Sequence, residues 1–96
     1  MNSDGTVNVR VIYPSARKPA EREFSLRTPV CQVKAFALGE FGITEGADSQ
    51  NPANQVVFFL FHGRTKVEDL NQPLSAFHKG NQQEMVFRLI REVIVG

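Results

Sequence analysis

The chain has little cysteine, almost no excess of charge of either sign and no long apolar run. Its single cysteine, Cys31, rules out an intrachain disulfide and suits a reducing cytosol. The formal net charge of +1 gives no reason to expect nucleic acid or a membrane surface as a partner. The longest apolar run, 56–61, is far shorter than the roughly 20 residues of a membrane helix. We therefore expect a cytoplasmic protein that binds neither nucleic acid nor membranes.

The sequence also lacks the groups of residues from which catalytic, metal and phosphate sites are built. Cys31 falls near the start of a predicted helix, where a small, half-buried residue is a more ordinary expectation than a nucleophile. One cysteine with two separated histidines, His62 and His78, does not supply the three or four ligands of a metal site. The segment 63–66 lacks the spacing of a phosphate-binding loop. We expect no catalytic residue, no metal and no cofactor.

The 96 residues are enough for one domain, and its first part predicts a β-hairpin. Segment 1–6 is polar and is expected to be a disordered N-terminus. Residues 7–13 alternate with period two, which predicts a strand whose inward residues are Val7, Val9, Val11 and Tyr13. After a loop with two prolines, 23–27 predicts a second strand with Phe24 and Leu26 inward.

A helix is predicted to follow the hairpin. Thr28 can accept a hydrogen bond from an unpaired N–H, and Pro29 fits the first helical position because its missing donor is not needed there. One helical face then recurs at steps of three and four residues: Val30, Val33, Ala37 and Phe41. Gly42 occupies the position of a C-cap glycine, so the predicted helix ends there.

The second half predicts a loop followed by three strands. Residues 44–55 are rich in Gly, Asp and Asn and have no periodicity, so they predict a loop. The continuous apolar run 56–61 predicts a central strand with both faces covered, and 65–67 a short strand. Segment 69–79 predicts a loop with a short helical turn, and 85–95 predicts the final strand. The order β-β-α-β-β-β is an α+β layout with the core between helix and sheet.

That order and three stretches of sequence resemble ubiquitin and its relatives, over nearly the whole chain from Val7 to Gly96. The stretches are 30–35 with 41–43, which match the helix and its terminal glycine; 57–64 with 74–77, which match the third strand, its glycine turn and the following segment; and 87–91, which match the last strand. The resemblance implies a β-grasp fold, with one crossing helix on a mixed sheet of four to five strands. Such domains serve as modifiers, sulfur carriers and binding modules, so the fold does not fix the function.

Two departures separate the chain from ubiquitin itself. The hairpin loop and the loop 44–55 are longer. The predicted tail, 92–96, ends in one glycine after Val-Ile-Val, where ubiquitin has two glycines after alternating Arg and Leu. These departures fit a divergent ubiquitin-like protein of the kind found in bacterial conjugation-like operons, beside relatives of activating enzymes and peptidases.

The resemblance implies a protein modifier whose reactive group is the carboxylate of Gly96. In such modifiers an activating enzyme adenylates the carboxylate, a cysteine takes it as a thioester, and a lysine amine then forms an isopeptide bond. Glycine suits this chemistry because it has no Cβ to obstruct the nucleophile. The implied partners are an activating enzyme, a conjugating enzyme, a deconjugating peptidase and target proteins. The candidate residues for recognition by the activating enzyme are Glu92, Val93, Ile94 and Val95, and the candidate acceptor lysines are Lys18, Lys66 and Lys79.

The resemblance also implies a partner-binding patch on the outward face of the sheet. Counting from the matched glycine turn and from the C-terminus puts that patch at Leu60 and Ile90, with Phe58 and Arg88 beside them. A binding module that uses this face without being conjugated is the alternative function. Alternatively, the apolar run is covered by the loop 44–55 or by a second subunit. A sulfur carrier is a third function class, which the single terminal glycine makes less favourable.

Overall fold

A computed structural model describes residues 5–80 and 83–95, which form an α+β fold of one α-helix and a six-stranded mixed sheet. The strands are β1 (Thr6–Ile12), β2 (Ala20–Ser25), β3 (Gly46–Ala47), β4 (Gln55–His62), β5 (Thr65–Lys66) and β6 (Glu84–Ile94). The helix α1 spans Val30–Phe41, and a 3₁₀ turn spans Leu74–Ala76. The α+β class, the hairpin, the helix and the final strand are therefore confirmed.

The last strand lies in the middle of the sheet. The strand order is β2-β1-β6-β4-β3, and β5 pairs with the end of β4. The strands β1 and β6 run parallel, with Val9 opposite Met85. All other pairs are antiparallel. A parallel pair requires a long connection across the sheet. Here that connection contains the helix and strands β3 to β5.

The sheet has six strands where four to five were predicted, because the loop 44–55 is shorter than its composition suggested. Within it, β3 pairs with the start of β4, with Gly46 opposite Val56 and Ala47 opposite Gln55. The strand β3 is only two residues long and contains no large apolar side chain. The pattern of apolar residues in the sequence therefore could not predict this strand.

The core lies between the helix and one face of the sheet, called here the inner face. Alternate residues of β1, β4 and β6 point to it, and α1 covers it with its residues at steps of three and four. The buried residues of these four elements are Val7, Val9, Val11, Val30, Val33, Ala37, Val56, Phe58, Leu60, Met85, Phe87 and Leu89. Burying each of the larger side chains contributes about 1.5–3 kcal/mol. The predicted inward residues of the first strand and of the helix are confirmed, except that Tyr13 and Phe41 are half-buried.

The start of the helix differs from the prediction by one residue. Pro29 occupies the N-cap in an extended conformation, and no side chain caps the helix, so the predicted role of Thr28 is wrong. The first amides instead bond to a distant segment of main chain. Cys31 N–H donates to the Leu70 carbonyl over 2.8 Å, and Val30 N–H donates to the same loop over 2.9 Å. A contact across so many residues leaves no local signature, which is why the sequence suggested a side-chain cap.

The end of the helix and the apolar strand 56–61 differ in how well they were predicted. Gly42 ends the helix with a φ of 65°, in the left-handed conformation that favours glycine at this position, so that prediction is confirmed. The run 56–61 is a strand, but only its even-numbered residues are buried; Val57, Phe59 and Phe61 are half-buried on the other face. The prediction that both faces are covered is therefore wrong for the residues that the structure describes. Among those residues, no helix is both long and apolar enough to cross a membrane.

Candidate protein-binding surface

The outward face of the sheet carries a group of apolar side chains around one arginine. The register of β4 and β6 puts Phe59 opposite Ile90 and Phe61 opposite Arg88. The register of β1 and β6 puts Ile12 beside Arg88 as well. We call the following set the outer apolar surface: Ile12, Phe59, Phe61, Val86 and Ile90. Ile12 and Val86 are 40% and 38% exposed, and the other three are half-buried by their neighbours in the sheet.

Two of the four predicted patch residues point the wrong way. Phe58 and Leu60 are 3% and 0% exposed and belong to the core under α1, so their predicted role in a surface patch is wrong. Arg88 and Ile90 do lie on the outward face, where Arg88 is exposed and Ile90 half-buried. The residues that accompany them are Phe59 and Phe61.

The turn after β4 explains this error. His62 still pairs with Thr65, so β4 continues one residue further than the predicted strand and the turn consists of two residues. Gly63 in that turn has a φ of 64°, which glycine adopts at little cost. Because side chains alternate along a strand, a shift of one residue moves every side chain to the opposite face. The predicted positions Phe58 and Leu60 were counted back from the glycine turn, and that count was wrong by one residue.

The positively charged side chain of Arg88 lies among apolar side chains on the outward face. Among residues 5–80 and 83–95 it forms no ion pair. Its cross-strand neighbours, Ile12 and Phe61, carry no charge. A guanidinium offers its donors in a planar fork that fits a carboxylate. The outer apolar surface thus combines apolar area with one cation that is available to an acidic group.

The cations at the rim of this surface already have partners. Arg10 lies 3.5 Å from Glu21 and 3.6 Å from Glu84. Lys66 lies 3.7 Å from Glu92, and its Nζ is 3.5 Å from the centre of the Phe59 ring. Exposed pairs of this kind contribute little to stability, about 0–1 kcal/mol each. Arg10 and Lys66 are thus each paired with a glutamate, whereas Arg88 has no carboxylate partner among the described residues.

The rim contact also joins two residues predicted for different roles. Lys66 was a candidate acceptor lysine and Glu92 a candidate for recognition by an activating enzyme, and the structure places them in one ion pair. Lys18 and Lys79, the other candidate acceptors, are exposed in loops far along the chain from each other.

The segment predicted as a tail is largely part of the sheet. Glu92, Val93 and Ile94 belong to β6, and Ile94 still pairs with Gln55 of β4. Exposure increases towards the end of the strand, from 40% for Val93 to 79% for Val95. The tail prediction for 92–94 is therefore wrong. Gly96, the predicted conjugation residue, lies outside the described residues, as do residues 1–4 of the predicted disordered N-terminus. The prediction of disorder over 1–6 is wrong for Thr6, which begins β1.

Two of the residues considered for catalysis and metal binding, Cys31 and His62, lie in different surroundings. Cys31 is exposed, not half-buried as expected. The His62 ring packs between Phe77 and Phe87, with centroids 5.2 and 5.4 Å away. Within residues 5–80 and 83–95, no group of three or more His, Cys, Asp and Glu residues could hold a metal ion. The packed ring of His62 contributes to the stability of the fold, because an aromatic pair of this kind stabilises it by about 0.5–1.5 kcal/mol.

Sequence reasoning missed one carboxylate that joins the helix to the sheet. Glu45 accepts hydrogen bonds from Lys34 Nζ at 2.9 Å and from the Phe58 N–H at 2.8 Å. Partial burial acts to raise the pKa of Glu45, but the Phe58 N–H and Lys34 outweigh it and hold the pKa below its ordinary value. Glu45 follows the helix in a polar loop, where an acidic residue gives no sign of such a contact.

Comparison with known proteins assigns the chain to no family: no protein-family model matches it, and no curated protein matches it at a significant level. The function therefore has to follow from the geometry of the chain itself.

Proposed function

We propose that the chain is a ubiquitin-like β-grasp protein that binds a partner protein through its outer apolar surface. The topology supports the fold: a hairpin, a helix across the inner face and a last strand inserted parallel to the first. One observation carries the function. The outward face of the central strands combines an apolar group with Arg88, which has no carboxylate partner among the described residues.

The physical basis is the composition of this face. Contiguous apolar area on a protein surface marks interaction sites, since each square ångström removed from water contributes about 25 cal/mol. Aromatic and arginine side chains dominate the binding energy of interfaces. Phe59 and Phe61 supply the first kind of anchor, and Arg88 supplies the second. The partner surface that fits is apolar with one carboxylate facing Arg88.

Photo-crosslinking from defined positions tests this proposal. A benzoylphenylalanine at position Val86, which is exposed at the edge of the outer apolar surface, should capture a partner in cells that express the protein. The same group at Glu40, exposed on the helix, is the matched control and should capture less. The Val86 product should disappear in an Arg88→Glu variant, because the charge reversal repels the facing carboxylate. Equal capture from both positions, or a product that survives Arg88→Glu, would contradict the proposal.

A second candidate function is conjugation through Gly96, and the exposure of the end of β6 favours it. The last pairing of β6 with β4 among the described residues is that of Ile94 with Gln55. An activating enzyme that binds residues 92–95 as an added strand would have to separate the last residue pairs between β6 and β4, such as Ile94 with Gln55. Open access at Val95, which is 79% exposed, supports such a contact.

Incubation with ATP and an activating enzyme tests the second candidate. The expected product is a thioester sensitive to reducing agent, and deletion of Gly96 should remove it. The expected role of Glu92 is to select the activating enzyme, since a reversed charge disfavours the wrong partner. A noncognate enzyme should therefore adenylate Glu92→Arg faster than the wild type. Failure of the Gly96 test leaves the binding function of the outer face standing, because that function needs no free carboxylate.

A further inference from the structure

The strand β6 extends beyond the end of its parallel neighbour. The strand β1 pairs with it only as far as Arg88, whereas β4 pairs with it up to Ile94. Among residues 5–80 and 83–95, no other strand covers the side of β6 that β1 leaves free. The last part of β6 is therefore bonded on one side only. We call residues 91–95 the open edge; its last residue, Val95, follows directly after β6.

The hydrogen bonds of the sheet determine which main-chain groups point to the open edge. The Asn8 N–H donates to the Gln83 carbonyl over 3.0 Å, so odd-numbered residues of β6 bond towards β1 and even-numbered residues towards β4. The β4 side agrees with this phase, since the Phe58 N–H points away from β6 and donates to Glu45. Odd-numbered residues of the open edge therefore direct their N–H and C=O groups away from β4.

The open edge combines these free main-chain groups with apolar side chains. Among the described residues, no hydrogen bond reaches the main chain of Arg91 or Val93 on the side that β1 leaves free. Three consecutive large apolar residues are exposed here: Val93, Ile94 and Val95. Proline and lysine, which commonly protect strand edges, are absent from 91–95. Such an edge is a template for another strand.

A second copy of the open edge complements the first in one antiparallel register. A two-fold axis at Arg91 or Glu92 would place that residue opposite its own copy, and like charges directly opposite each other are destabilising. An axis at Val93 places Val93 opposite itself and Arg91 opposite Val95, which bonds three pairs of odd-numbered residues. An axis at Ile94 bonds only two such pairs. The Val93 register therefore forms the most main-chain bonds without opposing like charges.

The charged side chains of the open edge are compatible with the Val93 register. Glu92 lies opposite Ile94 of the second copy, and the two copies of Glu92 are only diagonal neighbours, which lie farther apart than opposite residues. Each Glu92 also has its own cation, Lys66, at 3.7 Å. Arg91 forms no ion pair among the described residues, and Val95 opposite it is uncharged.

We propose that the chain forms a two-fold dimer in which the open edges of two copies pair antiparallel about Val93 and join the two sheets into one. A two-fold contact of this kind closes on itself. The overlap covers only 91–95, and small interfaces belong to the weak, transient class, so the dimer should dissociate readily on dilution. The contact is separate from the outer apolar surface and depends on neither proposed function.

Sedimentation of the full chain from micromolar to millimolar concentration tests the proposal. A reversible monomer–dimer equilibrium is expected, without larger species. Hydrogen exchange at the amides of Arg91 and Val93 should slow as the dimer fraction increases, because these N–H groups donate only in the dimer. The amides of Ile90 and Glu92 bond to β4 and should be protected at every concentration.

Proline at the open edge separates dimer formation from folding. Val93→Pro removes an N–H that points only to the open edge, so it should abolish the dimer and leave the pairing with β4 intact. Thermal unfolding checks that the variant is folded. Val93→Lys is the second variant: it places two ammonium groups opposite each other and should weaken the dimer by about fivefold or more.

The matched control adds the same charge outside the open edge. Ala35→Lys, at an exposed position of the helix, should leave the dimer dissociation constant within about twofold, because salt screens a charge outside the contact. A loss of the dimer in Ala35→Lys as large as that in Val93→Lys would contradict the proposed contact.

A charge at Val95 tests the register. Val95→Glu places a carboxylate opposite Arg91 twice in each dimer and should tighten the dimer by about threefold, whereas Val95→Lys should weaken it by about as much. With the axis at Ile94, Val95 would lie opposite Val93, and the two variants would have equal effects. The proposal is overturned if the chain stays monomeric at millimolar concentration, if the dimer survives both Val93→Pro and Val93→Lys, or if the two Val95 variants act alike.

Discussion

On β4 and β6, neighbouring residues of one strand have opposite surroundings. Phe58 is enclosed by the helix and the core, whereas Phe59, the next residue, lies on the outward face under the Lys66 ammonium. The inner face of these strands buries the apolar side chains of Val56, Phe58, Leu60, Met85, Phe87 and Leu89, and the outward face mixes apolar groups with charges. The comparison separates two tasks: the inner face stabilises the fold, and the outward face is available for recognition. Substitutions on the two faces should therefore have different consequences.

The largest expected effect comes from the two adjacent phenylalanines. Phe58→Ala should lower the free energy of unfolding by about 3–5 kcal/mol, because it removes a buried ring and leaves a cavity. Phe59→Ala makes the same chemical change on the outward face and should cost less than half of that. Urea unfolding of both variants measures the difference. Equal losses would mean that the outward face is as fully packed as the core.

A smaller effect is expected at Glu45, the polar contact on the inner side. Glu45→Ala leaves the Phe58 N–H without an acceptor, which should cost about 1–3 kcal/mol. The pKa of Glu45 is lowered in the folded state, so its contribution is complete above the pKa of the unfolded chain and is lost as pH falls through the folded value.

Unfolding of the wild type and of Glu45→Gln across the acidic range measures that dependence. The difference in stability between them should be constant near neutral pH and should shrink as the carboxylate becomes protonated. Glu40→Gln, at an exposed helix position, is the control. A difference that does not change with pH would show that the ionised form of Glu45 has no special role.

The smallest expected effect is that of the ion pair between Lys66 and Glu92 on the outward face. A double-mutant cycle with both residues changed to alanine should give a coupling energy of about 0.2–1 kcal/mol, decreasing at high salt. The side chains are 36% and 48% exposed, so solvent screens most of the attraction. A coupling above about 2 kcal/mol would mean that the outward face contributes to stability as the core does.

The sequence allowed the faces of β1 to be predicted, because apolar and polar residues alternate there, and the resemblance to ubiquitin placed Arg88 and Ile90 of β6 on the outward face. It did not allow the faces of β4 to be predicted, since 56–61 is apolar at every position and has no phase of its own. The two-residue turn at Gly63 decides that phase, and the apolar sequence next to it gives no hint of the turn length. Half of the candidate patch, Arg88 and Ile90, was thus predictable.

Other features were beyond prediction because they depend on contacts between distant segments. The loop around Leu70 supplies acceptors for the first amides of the helix, and Glu45 reaches both Lys34 and Phe58. Short-range patterns carry no information on such contacts, which form only in the folded chain.

The central place of β6 has a consequence for how the protein is made. A ribosome releases β1 and β4 long before Met85 and Phe87, yet both strands need β6 as their partner. Until that strand emerges, two sheet edges and the apolar residues of the inner face stay exposed. Such intermediates are prone to aggregate, and contacts between distant parts of a chain form slowly. We therefore expect the sheet to close only once β6 is available to pair with both β1 and β4.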